Sequence, residues 1–113
     1  MIDYKNKTVW ITGASSGIGR ALAIQFSAMG ANLILSARNN EKLLETLNMC
    51  SHQLQIKLLP LDLEDYESVG RKSNTALALF GGIDLLINNG GISQRGLAVD
   101  TPISVDKKII DIN

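Results

Sequence analysis

The chain has 113 residues, enough for one small domain with a buried core. Apolar residues make up 45% and charged residues 19%, the balance of a globular chain and not of a disordered one. Eleven acidic and eleven basic side chains cancel to a formal net charge of zero, and no basic run stands out, which argues against a nucleic-acid binder.

Thr8-Val9-Trp10-Ile11-Thr12 predicts a first strand, followed by a glycine-rich turn from Gly13 to Gly19. Ile18, Leu22 and Phe26 then recur every four residues with Ala21 and Met29 beside them, which predicts a helix with that face inward. Gly30 stands where a helix C-cap glycine belongs. Leu33-Ile34-Leu35 predicts a second strand. Asn39 or Asn40 can cap a second helix that turns Leu43, Leu44, Leu47 and Cys50 toward a core. Residues 56–59 predict a third strand, and residues 65–80 a third helix by Val69, Ala76, Leu77 and Phe80. Residues 83–87 predict a fourth strand. Thr101-Pro102 has the form of an N-cap followed by proline at the first helical position, and Val105, Ile109 and Ile112 then predict a fourth helix.

Strand and helix thus alternate throughout, with short connections. Such alternation predicts an α/β fold with a parallel sheet covered on both faces. Right-handed crossovers make a doubly wound sheet in the order 3-2-1-4 the simplest topology. In that order Leu85-Leu86-Ile87 forms an apolar edge, which natural proteins avoid. The predicted last helix also breaks off at Asn113 without a cap. Both features lead us to expect that the natural chain continues and that the remaining strands lie outside these residues.

Cys50 is the single cysteine, so no disulfide framework exists within the chain, which fits a reducing, cytoplasmic location. Residues 1–7 are polar and unlike a signal peptide. No apolar run nears the ~20 residues that cross a bilayer, so no membrane association is expected.

The segment Thr12-Gly13-Ala14-Ser15-Ser16-Gly17-Ile18-Gly19 lies between the first predicted strand and helix. A helix N-terminus carries unpaired N–H groups and a partial positive charge, so it attracts phosphate. Gly13 suits the tight turn, Gly17 a close backbone approach to a pyrophosphate, and Gly19 a close packing of helix on strand. The alternative is an ordinary Gly/Ser turn, but the flanking strand and helix favour phosphate binding.

Thr12 to Gly19 resembles the T-G-x-x-x-G-[IL]-G signature of the short-chain dehydrogenases/reductases. Asp62-Leu63 resembles the family's acidic position that contacts adenine. Asn88-Asn89-Gly90-Gly91 resembles its N-N-A-G motif, with Gly90 in place of alanine, and residues 88–96 look closest to a reductase branch. Asn113 falls where the family has the asparagine of its catalytic tetrad. The resemblance implies that residues 1–113 are the N-terminal part of a single Rossmann-like NAD(P)-binding domain. It further implies hydride transfer between a nicotinamide and a small carbonyl or alcohol substrate, and a homodimer or homotetramer. Cofactor contacts would fall on Gly13, Ser15, Ser16, Gly17, Ile18, Gly19, Asp62, Leu63, Asn88, Asn89, Gly90 and Gly91.

The end of the second strand selects the cofactor. NAD-preferring proteins place an acid there for the ribose 2′-OH. This chain has Ser36-Ala37-Arg38, with no carboxylate. Arg38 can form a forked, charge-assisted pair with a 2′-phosphate, assisted by the hydroxyl of Ser15 or Ser36. NADP(H) is therefore expected over NAD(H), the alternative being that Arg38 is a solvated surface residue.

The family's tyrosine acid/base has a lysine four residues later. Here Thr8 follows Tyr4 at that spacing and Gly70 follows Tyr66, so no Tyr-x-x-x-Lys exists within the 113 residues. Only Asn113 matches the tetrad, and the segment alone is expected not to turn over substrate. A non-catalytic dinucleotide-binding sensor or scaffold is the alternative function. His52 is expected at the surface or in a cap, Cys50 in or beside the core, and Tyr66 in packing. Asp62, Glu64, Asp65 and Glu67 suit either a cation site or, more simply, a helix N-terminus. Ser93-Gln94-Arg95 fits a substrate mouth or a solvated loop equally. No metal site is expected.

Overall fold

The computed structural model describes residues 3–62, 64–89 and 108–112. In chain order these form β1 (Thr8–Thr12), α1 (Gly17–Ala28), β2 (Asn32–Ser36), α2 (Asn40–Asn48), a short 3-10 turn (Gln53–Gln55), β3 (Ile56–Leu58), α3 (Tyr66–Leu79), β4 (Leu85–Asn89) and β5 (Lys108–Ile112). The strands make one five-stranded sheet in the order β3-β2-β1-β4-β5. Every pairing is parallel, with Thr8 opposite Asn32, Val9 opposite Leu85 and Leu33 opposite Ile56. The 3-2-1-4 order is the doubly wound topology that the alternation of elements predicts.

Successive side chains of a strand point to opposite faces, so a sheet covered on both sides needs continuous apolar strands. Val9 and Ile11 join Leu33, Leu35, Leu85 and Ile87 under Ala23 and Phe26 of α1 and Leu43 of α2. Trp10 joins Ile34 and Leu86 on the other face, against Val69 and Ala76 of α3. The Trp10 indole N–H donates to Ser36 Oγ at 2.8 Å, which satisfies the one polar atom of that side chain.

The helix caps follow the sequence closely. Asn39 Oδ1 accepts from the Lys42 N–H at 3.1 Å, and Asp65 Oδ1 from the Ser68 N–H at 3.2 Å. Met29 is the C-cap of α1, directly before Gly30. Asp65 and Glu67 thus belong to the start of α3, and the described residues hold no cluster of three or more potential metal ligands. Cys50 is buried, and burial pushes its thiol above the ordinary pKa against a smaller lowering by the Ser27 hydroxyl. His52 is exposed at the start of the 3-10 turn.

Three expectations need correction. The inward face of α1 is Gly19, Ala23, Phe26 and Ser27, whereas Ile18 is 58% and Met29 45% exposed and Ala21 is also exposed. At the start of the helix Gly19 takes that face because its missing Cβ lets the helix backbone meet the turn at Gly13, while Phe26 fills the core farther along. Leu44 is likewise 48% exposed, and Thr46 takes its place in the interior. Finally, residues 108–112 are a strand and not part of a fourth helix; Leu85 pairs with Lys108 and Asn89 with Ile112, so β4 is not an edge. Ile109, Ile110 and Ile112 are β-branched and suit a pleated strand, and pairing satisfies the open backbone groups of β4. Residues 101–107 and Asn113 lie outside the described residues.

Candidate functional site

All strands run the same way, so their C-terminal ends share one edge of the sheet, where open α/β sheets bind ligands. The glycine-rich turn after β1, the Ser36–Arg38 segment after β2, Asp62 after β3 and Asn88–Asn89 at the end of β4 all reach this edge. Hydrogen bonds tie them together. The Ala14 N–H donates to the Ser36 carbonyl at 3.1 Å. The Leu61 N–H donates to the Ala37 carbonyl at 2.9 Å, which seats Asp62 beside the Arg38 end of β2. The Thr12 hydroxyl accepts from the Asn89 N–H at 3.0 Å and lies 3.1 Å from its acceptor Asn88 Oδ1. The Asn89 side-chain amide donates to the Gly13 carbonyl at 3.3 Å.

The three glycines do separate work. Gly13 has φ +64°, and a Cβ there would overlap the Asn89 carbonyl. A Cβ on Gly19 would overlap the Gly13 carbonyl. Turn, helix and the end of β4 therefore meet as bare backbone. Gly17 has φ +56°, yet nothing stands within 4 Å of where its Cβ would be. Its side is open space in front of the α1 N-terminus.

That N-terminus differs from the other two. Helices α2 and α3 each carry a side-chain cap and an acid in the first turn, Glu41 and Glu67. In α1 the N-cap Ser16 makes no side-chain cap bond and the first turn has no acid. The first intrahelical bond runs from the Arg20 N–H to the Ser16 carbonyl, so the N–H groups before it face outward unpaired by the helix. Uncapped donors, a helix's positive pole and the open space at Gly17 suit a diphosphate.

The remaining expected contacts divide. Ser16 and Ile18 are exposed and Ser15 half-buried around the same mouth. Arg38 is exposed, and its side chain has no partner among the described residues. Ser36 departs from expectation: its hydroxyl is buried under the sheet against Trp10, on the α3 face, so it is taken from the surface where a 2′-phosphate would lie. Asp62 Oδ1 accepts from the Glu64 N–H at 3.0 Å. Leu63, Gly90, Gly91, Ser93, Gln94, Arg95 and Asn113 lie outside the described residues. Thr12, quoted only as the first residue of the signature, and Arg20 and Thr46, which no motif singled out, were not among the expected contacts, yet their side chains bond to one another or to the turn and β4. The one available signal for Thr46 was a hydroxyl amid the apolar spacing of Leu43, Leu47 and Cys50.

Gly17→Ala is expected to cost the fold only the ~1–2 kcal/mol of a left-handed residue, since its methyl meets nothing. The same methyl intrudes where a diphosphate would approach and is expected to weaken a dinucleotide by about tenfold, the worth of one good hydrogen bond. A thermal melt paired with a binding titration separates the two effects.

The parallel sheet, the reversal of its strand order at β1 and the open helix N-terminus define a doubly wound α/β domain of the nucleotide-binding class. The short chain dehydrogenase family profile matches residues 7–113, and the chain belongs to that family. Dehydrogenase/reductase SDR family member 7 of Homo sapiens is 46% identical over 116 residues, covering 98% of this chain. The match is 34% of that protein, so this chain spans about a third of its length. The glucose dehydrogenase of Caenorhabditis elegans in its apo form superposes with a TM-score of 0.73 at 31% identity, over 83% of this chain and 41% of the other. A short chain dehydrogenase/reductase from Burkholderia phymatum in complex with NAD superposes with a TM-score of 0.71 at 29% identity, over 80% and 33%.

Proposed function

We propose that the protein is an NADP(H)-dependent oxidoreductase acting on a small carbonyl or alcohol substrate, and that residues 12–89 hold the cofactor. The observation that carries this is the uncapped, acid-free N-terminus of α1 opening at Gly17, with Arg38, which has no partner among the described residues, at the neighbouring strand end. Bound NADPH would supply a hydride. The chain's own part is to hold it: the backbone of residues 15–19 on the diphosphate, Arg38 on the 2′-phosphate, Asp62 at the adenine end and Asn88–Asn89 toward the nicotinamide end. That a solved relative is in complex with NAD supports a dinucleotide at this edge. The absence of a carboxylate after β2 supports the phosphorylated form.

NADPH and NADH titrated into the full-length protein at one salt concentration test this. Binding of NADPH is expected to be about tenfold to a hundredfold tighter, the worth of a charge-assisted pair. Trp10 is the single tryptophan, buried in the sheet, and its emission is expected to fall as reduced nicotinamide binds. Equal or tighter NADH binding overturns the NADP(H) assignment. Binding of NADPH with no turnover of any carbonyl or alcohol tried would favour the non-catalytic module.

A further inference from the structure

We propose that Thr46 of α2 is a positioning residue for the bridging diphosphate, acting through the peptide between Ala14 and Ser15; this rests on the turn being the dinucleotide site. Thr46 is fully buried. Its hydroxyl donates to the Ala14 carbonyl at 2.9 Å and accepts from Arg20 Nε at 2.9 Å. The Lys42 carbonyl is a second acceptor for the hydroxyl at 3.4 Å, but one proton serves one acceptor well, and the shorter contact has it. Arg20 is itself held by the Lys42 carbonyl at 3.2 Å and by Glu45 at 3.9 Å. Ala14 is thus pinned at both ends, its N–H by Ser36 of β2 and its carbonyl by Thr46 of α2.

A trans peptide is planar, with its C=O and N–H pointing opposite ways. Turning the Ala14 carbonyl into α2 therefore turns the Ser15 N–H away from α2. That N–H has no acceptor among the described residues, beside the equally open first turn of α1. A buried hydroxyl on the second helix so aims a free donor in the turn after the first strand. Arg20 couples the aim to the first turn of α1, so one interlock sets both groups of donors.

The test compares Thr46→Val, Thr46→Ser and Arg20→Met in the full-length protein, with NADPH and adenosine 2′-phosphate as probes. The second probe carries the 2′-phosphate and lacks the bridging diphosphate. Thr46→Val is expected to weaken NADPH by about tenfold or more, while adenosine 2′-phosphate stays within about twofold. Thr46→Ser keeps the hydroxyl and is expected to restore NADPH to within about threefold of the parent. Arg20→Met leaves the Thr46 hydroxyl less firmly held and is expected to give a smaller loss, about threefold to tenfold, for NADPH alone. That variant remains informative if Thr46→Val does not fold. Unchanged NADPH affinity in Thr46→Val and Arg20→Met, or equal loss of both probes, overturns the positioning role. A parent protein that binds neither dinucleotide overturns instead the site on which the role depends.

Discussion

Gly13→Ala is expected to lower the melting temperature of the full-length protein by roughly 5–15 °C, whether or not a dinucleotide is present. Two costs add. A non-glycine residue at φ +64° carries about 1–2 kcal/mol of left-handed strain. The added methyl also lands on the Asn89 carbonyl, and overpacking against backbone costs about 1–3 kcal/mol more, because no rotamer can swing a main-chain atom aside. Relief would require the turn to lift from β4, which breaks the Asn89 side-chain bond to the Gly13 carbonyl and the Asn89 N–H bond to Thr12. Gly17→Ala is the control, since it shares the left-handed backbone but lacks the collision. A calorimetric melt of both variants checks this. Equal shifts for the two would show that strain alone matters and that the close approach to Asn89 does not.

Arg38→Glu is expected to reverse cofactor preference, weakening NADPH by about a hundredfold or more and leaving NADH unchanged or tighter. Loss of the guanidinium removes a charge-assisted pair worth about 1.5–3 kcal/mol. The new carboxylate repels a 2′-phosphate and can accept from a 2′-OH. The fold should not register the change, because Arg38 is exposed and partnerless among the described residues, and such surface substitutions stay within about 0.5 kcal/mol. Added salt is expected to weaken NADPH in the parent and to have little effect on NADH in the variant, since screening acts on the charged pair. Titration of both dinucleotides into both proteins decides it. An unchanged NADPH-to-NADH ratio would make Arg38 a solvated bystander.

Much of the architecture was legible because it is written locally. Three helices and four strands lie where period, caps and turn residues put them. The strand at 83–87 shifts to Leu85–Asn89, which brings the Asn pair into the sheet itself. Local patterning failed where two environments compete for the same spacing. Phe26 is buried and Leu22 packs against the core as the spacing predicts, but Ile18 and Met29 have helical periodicity as good as that of Gly19 and Ala23. Only the short distance between α1 and the turn decides which set faces inward. The strand at Lys108–Ile112 has the same cause, since three isoleucines in a segment of that length suit a helix or a strand and the open side of β4 selects the strand.

By itself the sequence determined the alternating α/β plan, the glycine turn between first strand and first helix, the cationic end of the second strand and the family. Each depends on residues near one another in the chain, whose backbone preferences and charges act without help. Tertiary structure alone decided that Asn89 closes on Gly13, that Ser36 is spent on Trp10, and that Thr46 grips Ala14. Those contacts join residues far apart in sequence, and they exist only because parallel strands bring their C-terminal ends to a single edge.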